Sequence, residues 1–468
     1  MQLLTRGTGL YTDHYELTMA QGYFKFQRHE KPAIFDYFFR KNPFKGGFTL
    51  FAGLDSFLDM LESFHFENKD INYLKNVGFA DDFLDYLKNF RFSGSIYSFS
   101  EGDLVFPKAP VVRVEAPILE AQIIETLLLN ILNFETLIAT RAARMKIAAG
   151  GRNLIDFGMR RAQGLGAIHA TRAAVIGGFT ATSNVLSADL FGLTSTGTMA
   201  HSWVQSYEDE YQAFSEFAAA FPENCILLID TYNTLNSGVP NSIKVAREME
   251  QRGHKLMGVR LDSGDLAYLS KKTRKQLDDA GFNYVKIIVS NQMDEHIMAS
   301  LIQQGASIDG FGVGTRLVTG KPDAALDGVY KLASFDGTPR LKLSENSDKL
   351  TLPGRKSVIR YFNKENKAYA DVVALEGEMP QEMIHPGQTE IKNQKISCMK
   401  AEPKLEKVWE NGRRLFKKRN VKEIQEYGTE KLLHLPNEHK RFENPHVYKV
   451  GISPELLKLR NELIEKHM

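Results

Sequence analysis

A histidine in a run of small residues is the first candidate for chemistry. Leu193 to Gln205 reads LTSTGTMAHSWVQ, with Gly197 and Thr198 leading into His201 and an aromatic, Trp203, behind it. The segment holds too many Gly, Ser and Thr for an ordinary core strand. The next apolar run, Cys225 to Asp230, ends on a carboxylate. A carboxylate there can hold an imidazole tautomer and stabilise positive charge on the ring. His201 can also serve as a nucleophile that forms a covalent intermediate. His169 and His254 lack such a setting and read as structural.

Other reactive groups follow the same arrangement, a short apolar run with polar residues at its end. Residues 153–158 lead into Arg160 and Arg161, and 174–179 lead into Thr180, Thr182, Ser183 and Asn184. Residues 256–261 carry Arg260 and run into Asp262, Ser263, Gly264 and Asp265. Residues 285–290 end at Ser290 and Asn291, and 308–313 lead into Gly312, Gly314, Thr315 and Arg316. Each has a bland reading beside the functional one. Gly312-Val313-Gly314-Thr315 is either a tight turn or a phosphate cradle of free backbone N–H groups and a hydroxyl. Asp262-Ser263-Gly264-Asp265 is either a helix cap or a carboxylate pair for a ribose diol or a Mg²⁺-diphosphate. Arg160 and Arg161 are surface charges or bidentate partners for phosphate or carboxylate. Tyr15 and Phe157 are core aromatics or platforms for a flat ring.

The runs that carry these groups must be elements of one scaffold. With 193–198 and 225–230 they are mostly separated by about 20–30 residues of helix-compatible sequence, the spacing of parallel strands with crossover helices. So many units in succession favour a (β/α) barrel over an open doubly wound sheet, and barrel sites sit where the strands end. Three regions result: an N-terminal part over 1–117, a barrel over 118–330, and a β-containing C-terminal part over 331–468 that packs with the first.

Within the N-terminal part, Thr12 or Asp13 caps a helix through Ala20 and Pro32 to Phe39 reads as a strand. Phe51 to Phe64 has helical spacing, and Ser93 to Pro117 reads as a β-rich module. Glu120 to Ala149 is a long apolar helical region expected to break near Asn133. In the C-terminal part a hairpin is expected around Asp336-Gly337, within 331–345, and another around Asn363 to Asn366. The Lys- and Arg-rich stretch 399–425 reads as a solvated helix face.

Bulk composition excludes several functions. The 468 residues are 43% hydrophobic and 25% charged, as in an ordinary soluble globular protein, and the formal net charge is +2. That balance gives no global pull toward nucleic acid or a membrane surface. No run approaches the ~20 apolar residues of a membrane span. The N-terminal stretch, with Asp13, His14 and Glu16, does not read as a signal peptide. Two distant cysteines, Cys225 and Cys398, point to a reducing compartment, so a cytoplasmic protein is expected. Composition and spacing together indicate an α/β barrel enzyme for an anionic, phosphate-bearing, ribosyl substrate with Mg²⁺.

Seven motifs in fixed order carry a more specific signal: YTDHYELTMAQGY, NLIDFGMRRAQG, GGFTATSN, GTMAHSW, LLIDTYNT, GVRLDSGDL and GVGTRLVT. From about residue 11 to about residue 360 the chain resembles the nicotinate phosphoribosyltransferase family. The resemblance implies an irregular α/β barrel plus an α/β sandwich domain built from both chain ends, in a homodimer with shared active sites. It implies transfer of phosphoribose from 5-phosphoribosyl diphosphate to nicotinate, giving nicotinate mononucleotide and pyrophosphate for NAD biosynthesis, with coupled ATP hydrolysis. His201 would be the phosphorylated histidine and Asp230 would orient it. Phe157, with Tyr15 of the partner subunit, would sandwich the pyridine ring. Arg260 and Thr198 would meet nicotinate or a neighbouring phosphate, and Asp262 the ribose hydroxyls. Arg160, Gly312, Gly314, Thr315 and Thr319 would hold phosphates, and Asp265 is a candidate for the Mg²⁺-diphosphate. Nicotinamide enzymes carry an Asp where this chain has Ser183, and a hydroxyl can donate to a carboxylate that an Asp would repel. The rival expectations are a nicotinamide or a quinolinate phosphoribosyltransferase, a silent homologue acting as a binding subunit, and a nucleic-acid-binding protein.

Overall fold

The computed structural model describes residues 8–343, 351–385 and 394–467. It divides into two compact units: Met1–Leu137 with Ala325–Met468, and Ile138–Ala324. Both boundaries differ from the expected 117/118 and 330/331. One falls inside the helix Glu125–Ala149, and residue 330 lies within the strand Gly328–Phe335.

The first unit is held by strands from both ends of the chain. Its seven-stranded sheet runs Thr338–Pro339, Gly328–Phe335, Pro32–Phe39, Val112–Pro117, Ser95–Ser98, Glu406–Glu410, Arg413–Arg414. Pro32–Phe39 is thus flanked on one side by a C-terminal strand, with Tyr37 opposite Tyr330, and on the other by Val112–Pro117. Phe35 stacks on Tyr330 with ring centroids 4.7 Å apart. Helices His14–Lys25 and Leu54–Glu62 contribute Leu17, Phe57 and Leu58 to the same core. A four-stranded sheet, Lys400–Pro403, Lys356–Phe362, Ala368–Leu375, Lys449–Ile452, and two short strand pairs, Thr49–Leu50 with Leu104–Val105 and Glu382–Met383 with Gln394–Lys395, make up the rest of the unit's β-structure among the described residues.

The hairpin at Asp336-Gly337 forms, with both residues at positive φ as a tight two-residue turn requires. Residues 344–345 of that expected segment lie outside the described residues. The hairpin at Asn363 to Asn366 forms too. Three expectations give way. The helical region breaks at Ile124, between Ile118–Ile123 and Glu125–Ala149; Asn133 stays helical, its amide oxygen accepting the Tyr37 hydroxyl at 3.0 Å. Residues 399–425 begin with strands, of which Glu406–Glu410 buries Val408 and Trp409 and leaves its charged residues outside, and turn helical only at Val421–His434. The N-cap Asp13 makes no side-chain capping bond, while the Thr12 hydroxyl donates to Glu16.

The second unit is a curled sheet of six parallel strands ordered Ala181–Thr182, Asn153–Asp156, Gly310–Val313, Lys286–Val289, Gly258–Leu261, Ile226–Leu228. Helices such as Gly166–Ile176, Val239–Gln251, Leu266–Asp279 and Glu295–Gln303 form the crossovers. The barrel is irregular because its first and last strands are edges in the hydrogen-bonded order. Ser195 extends the sheet only by an isolated parallel bridge to Thr182, so 193–198 is not a full strand. Residues 174–179 are not a strand either. They finish the helix Gly166–Ile176 and turn through Gly177 and Gly178 into Ala181–Thr182. Inside this unit Glu295, fully buried, receives Arg141 at 2.8 Å and Arg144 at 2.7 Å. Among the described residues no helix is long and apolar enough to cross a membrane.

Candidate active site

Parallel strands that share a direction place all their C-terminal ends on one edge of the sheet. Here that edge carries Asp156 and Phe157, Ser183, Asp230, Asp262, Ser290 and Gly314. The strand bodies beneath are apolar, and Ile155, Ala181 and Ile288 pack with Phe157 and Ile226.

Arg260 lies in register with Ile288 on its strand and reaches the Phe157 ring, its guanidinium carbon 5.6 Å from the centroid. One terminal nitrogen donates to the Thr198 hydroxyl at 2.5 Å and to the Met199 carbonyl at 3.4 Å. The other lies 3.7 Å from the Asp262 carboxylate, and Nε is buried without a hydrogen-bond partner. Burial lowers the pKa of this guanidinium; Asp262 and Asp230 oppose the shift, while the positive charge of Arg160 adds to it. Arg160 itself is exposed on the short turn Met159–Arg161.

Asp230 has a different task from the one its position suggested. Its Oδ2 accepts the Asp262 amide and the Ser263 hydroxyl, each at 2.7 Å, and so fixes the loop after the next strand. Its Oδ1 is buried without a partner. The imidazole of His201, at the start of the short helix His201–Gln205, instead meets the Thr231 hydroxyl through Nδ1 at 3.1 Å. Asp262 accepts the Ser290 hydroxyl. Asp265 is the N-cap of Leu266–Asp279, its Oδ1 accepting the Tyr268 amide at 3.0 Å.

The glycine-rich turn also divides its work. A Cβ on Gly312 would lie 2.4 Å from the Phe157 ring, so Gly312 makes room for the aromatic. Gly314 ends the strand under the Phe157 carbonyl and beside the Arg161 side chain, and Thr315 opens the one-turn helix Thr315–Val318. The Thr319 hydroxyl donates to the Thr315 carbonyl at 2.6 Å, which commits its proton to the backbone.

Tyr15 belongs to the other compact unit, on the helix His14–Lys25, and its side chain is about half exposed. Burial raises its phenol pKa, and the carboxylates of Glu125, Glu16 and Asp13 add to the rise.

Two participants escaped the sequence reading. Thr231, the partner of His201, follows the acid that drew attention, and a hydroxyl carries no charge signal. Asp156 sits inside an apolar run and is fully buried, yet three groups donate to its carboxylate.

Among the described residues no three or more His, Cys, Asp or Glu side chains form a group able to hold a metal ion. Mg²⁺ commonly rests on one or two carboxylates and the substrate's own phosphates. The unpartnered Asp230 Oδ1 beside Asp262 fits that mode.

A parallel α/β sheet with a partly buried arginine at an aromatic face, carboxylates on the neighbouring strands and a glycine turn, all at the strand ends, has the make-up of an α/β enzyme. Family models for the nicotinate phosphoribosyltransferase N-terminal domain, the nicotinate phosphoribosyltransferase family and its C-terminal domain match residues 10–133, 152–370 and 355–460. The chain is 44% identical over 458 residues to nicotinate phosphoribosyltransferase of Bacillus subtilis, spanning 95% of this chain and 93% of that one. It is 37% identical to the Dictyostelium discoideum protein of the same name over 96% of this chain and 87% of that one. The crystal structure of human nicotinic acid phosphoribosyltransferase superposes with a TM-score of 0.87 at 31% identity, covering 97% of this chain and 99% of that one. The chain belongs to the nicotinate phosphoribosyltransferase family.

Proposed function

We propose that this protein transfers phosphoribose from 5-phosphoribosyl diphosphate to nicotinate, a step of NAD biosynthesis, with ATP hydrolysis coupled through phosphorylation of His201. The observation that carries the reading is Arg260, a partly buried guanidinium whose buried Nε is unpaired at the Phe157 ring. A flat ring bearing a carboxylate satisfies both partners at once, by stacking and by a charge-assisted hydrogen bond. Ser183, after the strand Ala181–Thr182, and Thr198, which accepts from Arg260, would supply hydroxyls, and Ser183 favours the acid over the amide. In the transfer, the pyridine nitrogen forms a bond to the anomeric carbon and the C–O bond to diphosphate breaks, its electron pair leaving with pyrophosphate. Asp262 would bind the ribose hydroxyls while Arg160, Gly314 and Thr315 would hold the phosphates. Mg²⁺ bound with the diphosphate would neutralise part of the leaving group's charge.

The contact of His201 with Thr231 supports the ATP step. A proton held on Nδ1 toward that hydroxyl leaves the Nε2 lone pair to accept the γ-phosphoryl group, with ADP as the leaving group. The resulting negative charge would help organise the diphosphate and its cation. In the homodimer this reading requires, Tyr15 of the partner subunit would cover the second face of the pyridine ring.

A coupled assay with nicotinate, 5-phosphoribosyl diphosphate and Mg²⁺, with and without ATP, tests the proposal. ATP is expected to stimulate the wild type, while His201→Ala keeps a weak ATP-independent transfer and loses the stimulation. Full coupling in that variant rules out the phosphohistidine. Release of CO₂ from quinolinate, or a preference for nicotinamide, would replace nicotinate with those substrates.

A further inference from the structure

Resting on that reading of the nicotinate site, we infer that Asp156 is a positioning residue for nicotinate recognition, tying the Phe157 platform to the Ser183 loop through one buried carboxylate. The contacts come from three separate elements. Oδ1 accepts the Gly158 amide at 2.7 Å, fixing the turn that presents Phe157. Oδ2 accepts the Thr171 hydroxyl, from the helix Gly166–Ile176, and the Thr182 hydroxyl, from the strand Ala181–Thr182, both at 2.8 Å. The Asp156 carbonyl accepts the Ser183 amide at 2.8 Å. Asn184 closes the network: its amide donates to the Thr182 hydroxyl at 3.0 Å and its side chain to the Thr171 hydroxyl at 3.2 Å.

Both hydroxyls are thereby used twice, each donating to Asp156 and accepting from Asn184. A polar network satisfied in this way fixes side-chain and loop positions together. Thr182 extends it toward the histidine segment, since its amide donates to the Thr194 carbonyl at 3.0 Å and its carbonyl accepts the Thr196 amide at 2.9 Å. Burial pushes the Asp156 pKa up, and the donors from Gly158, Thr171 and Thr182 oppose the shift, as expected of a carboxylate held by its neighbours alone. No part of the proposed chemistry requires it to touch substrate.

Asp156→Asn keeps the shape but turns one acceptor oxygen into a donor that faces donors. Thr171→Val removes one contact with little change in volume, and Thr171→Ser keeps the hydroxyl. The expected result is a rise of about tenfold in the nicotinate KM for Asp156→Asn and about threefold for Thr171→Val, in line with lost hydrogen bonds to a charged group. The KM for 5-phosphoribosyl diphosphate stays near wild type, and Thr171→Ser restores the nicotinate KM. Parallel loss of both KM values and kcat, tracking thermal stability, makes Asp156 a fold residue only and overturns the inference. So does an unchanged nicotinate KM in Asp156→Asn and Thr171→Val when Phe157→Ala raises it. If Phe157→Ala and Ser183→Ala also leave it unchanged, the nicotinate reading itself fails and takes the inference with it.

Discussion

Two arginines, one in each compact unit, are withdrawn from solvent to different ends, Arg360 fully buried and Arg260 partly. Arg360 meets Asp371 through two parallel bonds of 2.8 Å and the Leu104 carbonyl at 2.7 Å, while the Tyr448 hydroxyl occupies the same carboxylate at 3.1 Å. Burial works against its charge, but Asp371 overrides that and holds its pKa up. Arg260 has a lowered pKa, a carboxylate no closer than 3.7 Å and an unpaired Nε. A guanidinium held in parallel by a carboxylate of its own chain holds a fold together. One left short of an anion is prepared to receive it from outside, and leaving it short is a standing cost of desolvation. The unit built from both chain ends has closed its charges in this pair, whereas the barrel has kept one open at its strand ends.

Removing each arginine in turn separates the two roles. Arg360→Ala is expected to cost about 3–5 kcal/mol of stability, because Asp371 is left buried without its cation. Arg260→Ala should leave the denaturation midpoint close to wild type or above it and lower kcat/KM for nicotinate by about 10²–10³, the size of a lost preorganised charge contact. Chemical denaturation and steady-state kinetics on both variants decide it. Equal destabilisation by the two substitutions would show that the distinction is false.

A smaller effect is expected at the neighbouring loop. Ser183→Asp places a carboxylate where nicotinate would bring its own, and should lower nicotinate kcat/KM by about tenfold or more. Unchanged kinetics with nicotinate would remove Ser183 from the site. The smallest effect concerns stability against pH in the other unit. Burial pushes the Glu16 carboxyl up to about 7 from an ordinary 4.5, against the hydrogen bonds of Thr12 and Thr126. Between those values the folded state keeps a proton that the unfolded chain has lost, so stability falls as pH rises through that window and levels off above it. Denaturation midpoints between pH 4.5 and 8 should fall less in Glu16→Gln than in the wild type; identical slopes would mean that Glu16 titrates normally.

Much of the scaffold was legible because strand bodies and strand ends differ in chemistry. The runs at 153, 225, 256, 285 and 308 are β-branched or apolar and stop at acids, hydroxyls or glycines, and each contains a barrel strand. Residues 174–179 misled because an alanine-rich helix end is as apolar as a buried strand, while the real strand, Ala181–Thr182, is too short to show a period. At the strand ends, residue type and spacing picked out Arg260 and Asp262, while Phe157, left as a core aromatic or a platform, joined them only through the family resemblance. They did not reveal where Asp230 points, because side-chain direction at a strand end depends on which loop lies opposite. Its carboxylate found the Asp262 amide in place of the His201 ring. The work of Asp156 was hidden for a related reason: its donors Thr171 and Thr182 are common residues, brought close only by the crossover.

Gly312 sets how far the Phe157 ring can withdraw from the mouth of the site. The ring edge occupies the volume that a side chain at residue 312 would fill, with the nearest ring carbon 2.4 Å from where that Cβ would stand. Even one methyl there acts as a wedge. The aromatic would have to leave its present position, and on the proposed reading a second flat ring would then lose the face it stacks on. The thickness of molecule accepted there would be set from behind the platform, by a hydrogen atom in place of a methyl group.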